Sequence, residues 1–200
     1  MKKLYVNNKL VATNNYIIEE IESEPTYTVR IEQDEIVEYP YEFDDTFTLY
    51  SNHRYFSPDK HAMEELFNDE GNLPTLEQLN LSRSDYDHFR IYSYEHGMMT
   101  VSASPFSCPW DSGLLGIVSV RKDAVNDTKE AFKNYVKTLD QLLQGDVYAF
   151  IVEDEMGESV DACGGFFGHD ERTLEDMLSY IPSEYGITLE DLKKAMDNCY

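Results

Sequence analysis

The chain has 200 residues, 42% of them apolar and 13% aromatic, and carries a formal net charge of −23 at pH 7. That apolar content excludes intrinsic disorder, and the shortage of cations excludes nucleic acid as a direct ligand, since phosphates are bound by neutralising them. No run approaches the ~18 apolar residues of a membrane span, so a membrane is not an expected partner either.

The excess charge is unevenly placed. Residues 1–30 hold four basic and four acidic side chains and residues 121–144 hold five and four, whereas residues 31–120 hold four against seventeen and residues 145–200 three against fourteen. The densest run is Glu32, Asp34, Glu35, Glu38, Glu42, Asp44 and Asp45, with no Lys or Arg from Ile31 to Leu49. A second cluster is Glu153, Asp154, Glu155 and Glu158. Such runs serve as solvated faces that keep a protein dispersed, or as a surface that takes the place of nucleic acid on a basic protein. The second use is physically possible: a compact domain of this length is roughly 40 Å long, and duplex DNA of that length carries on the order of 24 phosphate charges.

In chain order, Leu4–Val6 and Leu10–Ala12 flank Asn7, Asn8 and Lys9, which predicts a tight hairpin. The alternation Thr26–Ile31 predicts a strand with one wet face, and Thr46–Tyr50 another. Pro40, between Tyr39 and Tyr41, argues for an acidic edge or loop between them. Ser57 and Pro58 open a predicted helix in which Ala62, Met63, Leu66 and Phe67 share a face up to Gly71. Residues 73–81 read as a connector or short turn. Phe89–Tyr94, Met98–Ala103 and Leu114–Val120 read as a hairpin plus a further strand. The clearest helix starts at Asp127, is striped by Ala131, Phe132, Tyr135, Val136, Leu139, Leu142 and Leu143, and ends at Gly145. Val147–Val152 and Ser159–Cys163 follow as strands around a turn at Asp154–Gly157, so strand, helix and strand allow one crossover unit. Two short helices close the chain, the second opened by Thr188 and Asp191 in a capping pattern.

The expected fold class is therefore α+β: mainly antiparallel sheet with one long packed helix and two or three short ones. Residues 1–50 form an N-terminal β-rich acidic segment or small subdomain and residues 51–200 the core domain. The first eight residues lack the apolar core of a signal peptide, and Cys108, Cys163 and Cys199 lie far apart without a CxxC spacing. Reduced thiols in a cytoplasmic protein are expected.

The densest local chemistry is the stretch Ser102–Gly113, which holds the only Trp of the chain, Trp110, with Pro105 and Pro109 stiffening the backbone. Residues Tyr94, Glu95, His96 and Gly97, then Pro105, Phe106, Ser107, Cys108, Pro109, Trp110, Asp111, Ser112 and Gly113 leading into Gly116–Val120, resemble a family of mostly uncharacterised acidic proteins. These occur in phages, plasmids and integrative elements of Gram-positive bacteria. Gly145–Tyr148 and Cys163–Gly168 continue the likeness, which covers roughly residues 85 to 170. Family members often carry Gln where Leu114 stands and Ser where Gly97 stands. The resemblance implies a mobile-element origin and brings no catalytic residues with it.

The residues also bear on other chemistries. Cys108 with His96, and Asp111 or Asp146 as orienting carboxylate, has the residue types of a thiol nucleophile with its base. The five histidines show no HxxxH or HExxH pairing, so no metal and no cofactor is expected. Gly164, Gly165 and Gly168 lack the Lys-Ser/Thr of a phosphate loop and read as a bulge that lets Phe166 and Phe167 enter the core. Charge and resemblance together lead to an anti-defence inhibitor, of anti-CRISPR or anti-restriction type, that binds a basic host nuclease or its complex through its carboxylates. Tyr39, Tyr41 and Trp110 would add flat contact surface. A thiol hydrolase, and a binder anchored on Trp110 without mimicry, are the competing readings.

Overall fold

The structure, a computed structural model, describes residues 3–6, 9–13, 26–35, 45–53, 56 and 72–199. Strands β1 (Lys3–Val6) and β2 (Lys9–Thr13) pair as a hairpin. Strands β3 (Thr28–Gln33), β4 (Phe47–Tyr50), β5 (Tyr86–His96), β6 (Met98–Ser102), β7 (Ser112–Arg121), β8 (Val147–Glu153) and β9 (Ser159–Phe167) build two antiparallel sheets, ordered β4-β7-β5-β6 and β3-β8-β9. Among the described residues the helices are α1 (Leu76–Ser82), α2 (Thr128–Gln144), α3 (Glu171–Tyr180) and α4 (Leu189–Asp197), with a 3₁₀ turn at Ser183–Tyr185. The protein is α+β, as its periodicities predict, and α2 is the longest helix among the described residues.

Helix α2 forms because Phe132, Tyr135, Val136 and Leu139 recur at i, i+3, i+4 and i+7 and all bury. The Asp127 carboxylate accepts from the Lys129 and Glu130 amides at its start, and Gly145, at φ 71°, turns the chain left-handed at its end. That buried stripe packs on Leu49, Ile91, Val101, Val118 and Val120 of the four-stranded sheet. Each such side chain contributes about 1.5–3 kcal/mol on burial. The helix also reaches the sheet's rim: Asp140 accepts from the Val101 amide at 2.8 Å, and Gln144 donates to the Met99 carbonyl at 2.8 Å. On the opposite face, Tyr50, Ile117 and Leu79 of α1 form a smaller cluster.

The three-stranded sheet has its own core. Ile31, Tyr148, Phe150, Val152 and Phe166 pack against Leu174 and Met177 of α3 and Leu192 and Met196 of α4. Opposite Ala149, strand β9 carries both Gly164 and Gly165, since Tyr148 pairs with Phe166 and Phe150 with Cys163. This is a bulge, with Gly165 at φ 82°. It turns Phe166 into the core and leaves Phe167 half-buried.

Two expectations change. Strands β7 and β8 lie in different sheets, so α2 carries the chain from one sheet to the other and no crossover unit forms. Residues 76–82 are a helix rather than a connector, started by a reciprocal box in which Thr75 and Gln78 bond each other's amides. Strands on the two sides of residue 50 pair, β3 with β8 and β4 with β7. The helix predicted over residues 57–71 lies outside the described residues.

Candidate functional site: an acidic half and a tryptophan corner

The fold sorts the charge. Residues 26–35 and 145–199, which build the β3-β8-β9 sheet with α3 and α4, hold four basic against seventeen acidic side chains, a net −13. Residues 45–53, 56 and 72–144, which build the other sheet with α1 and α2, hold seven against ten, a net −3. Two sections far apart in sequence thus merge into one acidic half.

Not every carboxylate singled out in that half faces outward. Register places Thr28 opposite Glu153 and Glu32 opposite Ala149, so Arg30, midway along β3, reaches both acids. Its guanidinium bonds Glu153 at 2.8 Å and also Glu32. These contacts, Glu153 first, hold Arg30 above its ordinary pKa. Asp34 crosses the sheet and accepts from the Gly165 amide at 2.9 Å. Asp154 closes the β8–β9 turn by accepting from the amides of Met156 and Glu158, both at 2.9 Å. Glu35, Glu155 and Glu158 are exposed. Asp45 is exposed too, but at the head of β4 in the other sheet. Glu38, Tyr39, Tyr41, Glu42 and Asp44 lie outside the described residues.

The second feature is the loop between β6 and β7. Its backbone is laced to the β5–β6 hairpin: the Glu95 amide donates to the Asp111 carbonyl at 2.7 Å, Ser112 Oγ donates to the Cys108 carbonyl, and the Phe106 ring lies 5.7 Å from Tyr94. A shallow cleft of about 270 Å³ runs between Tyr92, Phe106, Cys108, Ser112 and Leu114. Trp110 takes no part in this lacing and stands 90% exposed. Met98 and Leu114, exposed at the same corner, were not distinguished in the sequence, because both fall inside strand-type runs.

Cys108, His96 and Asp111 do meet, but not as a thiol with its base. Asp111 Oδ2 is 3.8 Å from Cys108 Sγ and 3.5 Å from His96 Nδ1. The carboxylate occupies the middle, where a nucleophile needs an imidazole. Asp146 is elsewhere, 2.8 Å from His169 Nδ1 beside the end of β9. Among the described residues no cluster of three His, Cys, Asp or Glu side chains could hold a metal ion, and no helix is long and apolar enough to cross a membrane.

No family model, curated protein or solved structure matches the chain. The functional reading therefore stands on these two surfaces.

Proposed function

We propose that the protein is an anti-defence inhibitor of a mobile element, acting in the bacterial cytoplasm, that occupies the basic nucleic-acid-binding surface of a host defence nuclease or its complex. The observation that carries this is the sorting of charge, −13 on one half against −3 on the other. A channel lined by Lys and Arg attracts a body of that sign over long range and pairs with it at close range. Glu35, Glu155 and Glu158 supply outward carboxylates, and Glu32 and Glu153 share Arg30. DNA cleavage by purified restriction endonucleases and CRISPR effector complexes, with and without the protein, tests the reading. Inhibition that weakens in the triple variant Glu35→Lys, Glu155→Lys, Glu158→Lys, and between about 50 and about 300 mM salt, supports it. Inhibition indifferent to both rules out mimicry.

The exposure of Trp110 favours a second reading, a non-mimic binder anchored on the rigid loop. Its signature is affinity that survives the charge reversals and falls with Trp110→Ala.

A further inference from the structure

We infer that the Trp110 corner receives an arginine side chain, the guanidinium lying on the indole face beside the carboxylate of Asp111. The inference rests on the proposed basic partner and specifies what that partner presents. Four observations point to it.

The indole is 90% exposed on a backbone fixed on both sides, by the Ser112–Cys108 and Glu95–Asp111 hydrogen bonds. A backbone held this way loses little freedom on binding. From Ile91 to Val120 the chain contains no Lys or Arg, so β6, the loop and the facing parts of β5 and β7 bring no permanent cation to compete. Of the two acidic side chains in that stretch, Asp111 is 41% exposed and contacted by the His96 imidazole rather than an ammonium or guanidinium, while Glu95 points to the opposite face of β5 and pairs with His53 at 2.9 Å. Register puts Leu114 opposite Tyr92 and Met98 opposite His96, a partly exposed apolar strip along which the methylene stem of an arginine can lie.

Tryptophan is the best aromatic acceptor for a cation. The planar, weakly hydrated guanidinium stacks on it while pairing with a carboxylate, which an ammonium does less well. A purely apolar anchor would have no use for an acid at its rim.

Trp110 is the only tryptophan of the chain, so its emission reports this corner alone. Hexa-arginine and hexa-lysine peptides are titrated into the full chain at low salt, with N-acetyl-tryptophanamide as reference and calorimetry recording total binding. The expected result is a saturable change in emission with hexa-arginine at lower concentration than with hexa-lysine. Asp111→Asn raises the midpoint about two- to fivefold, the range a surface contact of this kind commands, and Trp110→Leu abolishes the preference for arginine in calorimetry. Emission that only follows the reference while calorimetry records binding overturns the corner site and leaves the acidic-half reading standing. A preference retained in Trp110→Leu also overturns it. Absence of calorimetric binding by either peptide overturns the basic-partner reading and this inference with it.

Discussion

Replacing Gly164 by alanine tests whether Asp34 is a structural residue rather than a free surface charge. A Cβ at position 164 would run into the Asp34 carboxylate, with Cγ at 3.1 Å and the Ala149 methyl at 3.4 Å. The obstacle is the end of a side chain, so the carboxylate can swing aside and lose its 2.9 Å bond to the Gly165 amide. A hydrogen bond to a charged group contributes about 1.5–3 kcal/mol, which is the expected loss in Gly164→Ala. Asp34→Ala removes the same bond and the obstacle together. Gly164→Ala in the Asp34→Ala background should therefore change stability by less than about 0.5 kcal/mol, giving a coupling energy of about 1.5–3 kcal/mol. Urea denaturation of the four proteins, followed by far-ultraviolet circular dichroism because Trp110 is already exposed in the folded state, measures the cycle. Additive losses would refute the lacing.

Three further outcomes follow from the geometry. Gly116→Ala drives a Cβ into the Tyr50 carbonyl, with Tyr50 C at 3.1 Å and Ser51 Cα at 3.3 Å; this neighbour is backbone and cannot step aside, so the expected loss is about 3 kcal/mol or more by thermal denaturation. Arg30→Gln releases Glu32 and Glu153 and takes the acidic half from −13 to −14; stability should change by less than about 1 kcal/mol, while affinity for a basic peptide should rise and fall more steeply with salt. Acid titration should reveal the carboxylates held below their ordinary range, Asp87 by the Thr128 hydroxyl and Asp191 by the Thr188 hydroxyl and amide. A lowered folded pKa means that their stabilisation is present above the usual Asp value of 3.8 and is lost below it, as pH falls through the lowered folded value. Asp191→Asn should flatten that part of the curve, as read by circular dichroism against pH.

What was legible in the sequence follows the strength of its periodicity. Helix α2 could be read from cap to cap, because Asp127, the stripe through Leu139 and Gly145 agree on one answer. Strands β5 to β9 could be read because apolar runs alternate with glycine and aspartate turns. The α1 helix was missed because seven residues carry one buried position, Leu79, and its only mark is the Thr75–Gln78 box. Sheet membership was invisible: nothing local to β7 and β8 says that they belong to different sheets, a choice made by long-range packing of α2 on one and of α3 and α4 on the other. At the candidate site, the two acidic clusters were legible as composition, but their partners were not. Asp34 and Asp154 look like surface charges in sequence and prove to be occupied by backbone amides 131 and up to four residues away. The corner around Trp110 was legible as a stiff loop; that Cys108 and His96 both reach Asp111 needed coordinates.

The reach of α2 to the rim of the four-stranded sheet has a consequence for how the protein behaves when crowded. A sheet edge with idle amides and carbonyls is a template on which another chain can add a strand, the first step towards fibres. Asp140 and Gln144 fill that template at Val101 and Met99 with side chains, and the opposite edge, β4, offers only four residues. At this edge two polar groups of a single helix stand where another strand would add. Asp140→Ala and Gln144→Ala together would reopen the β6 edge, leaving charge repulsion to oppose strand addition there.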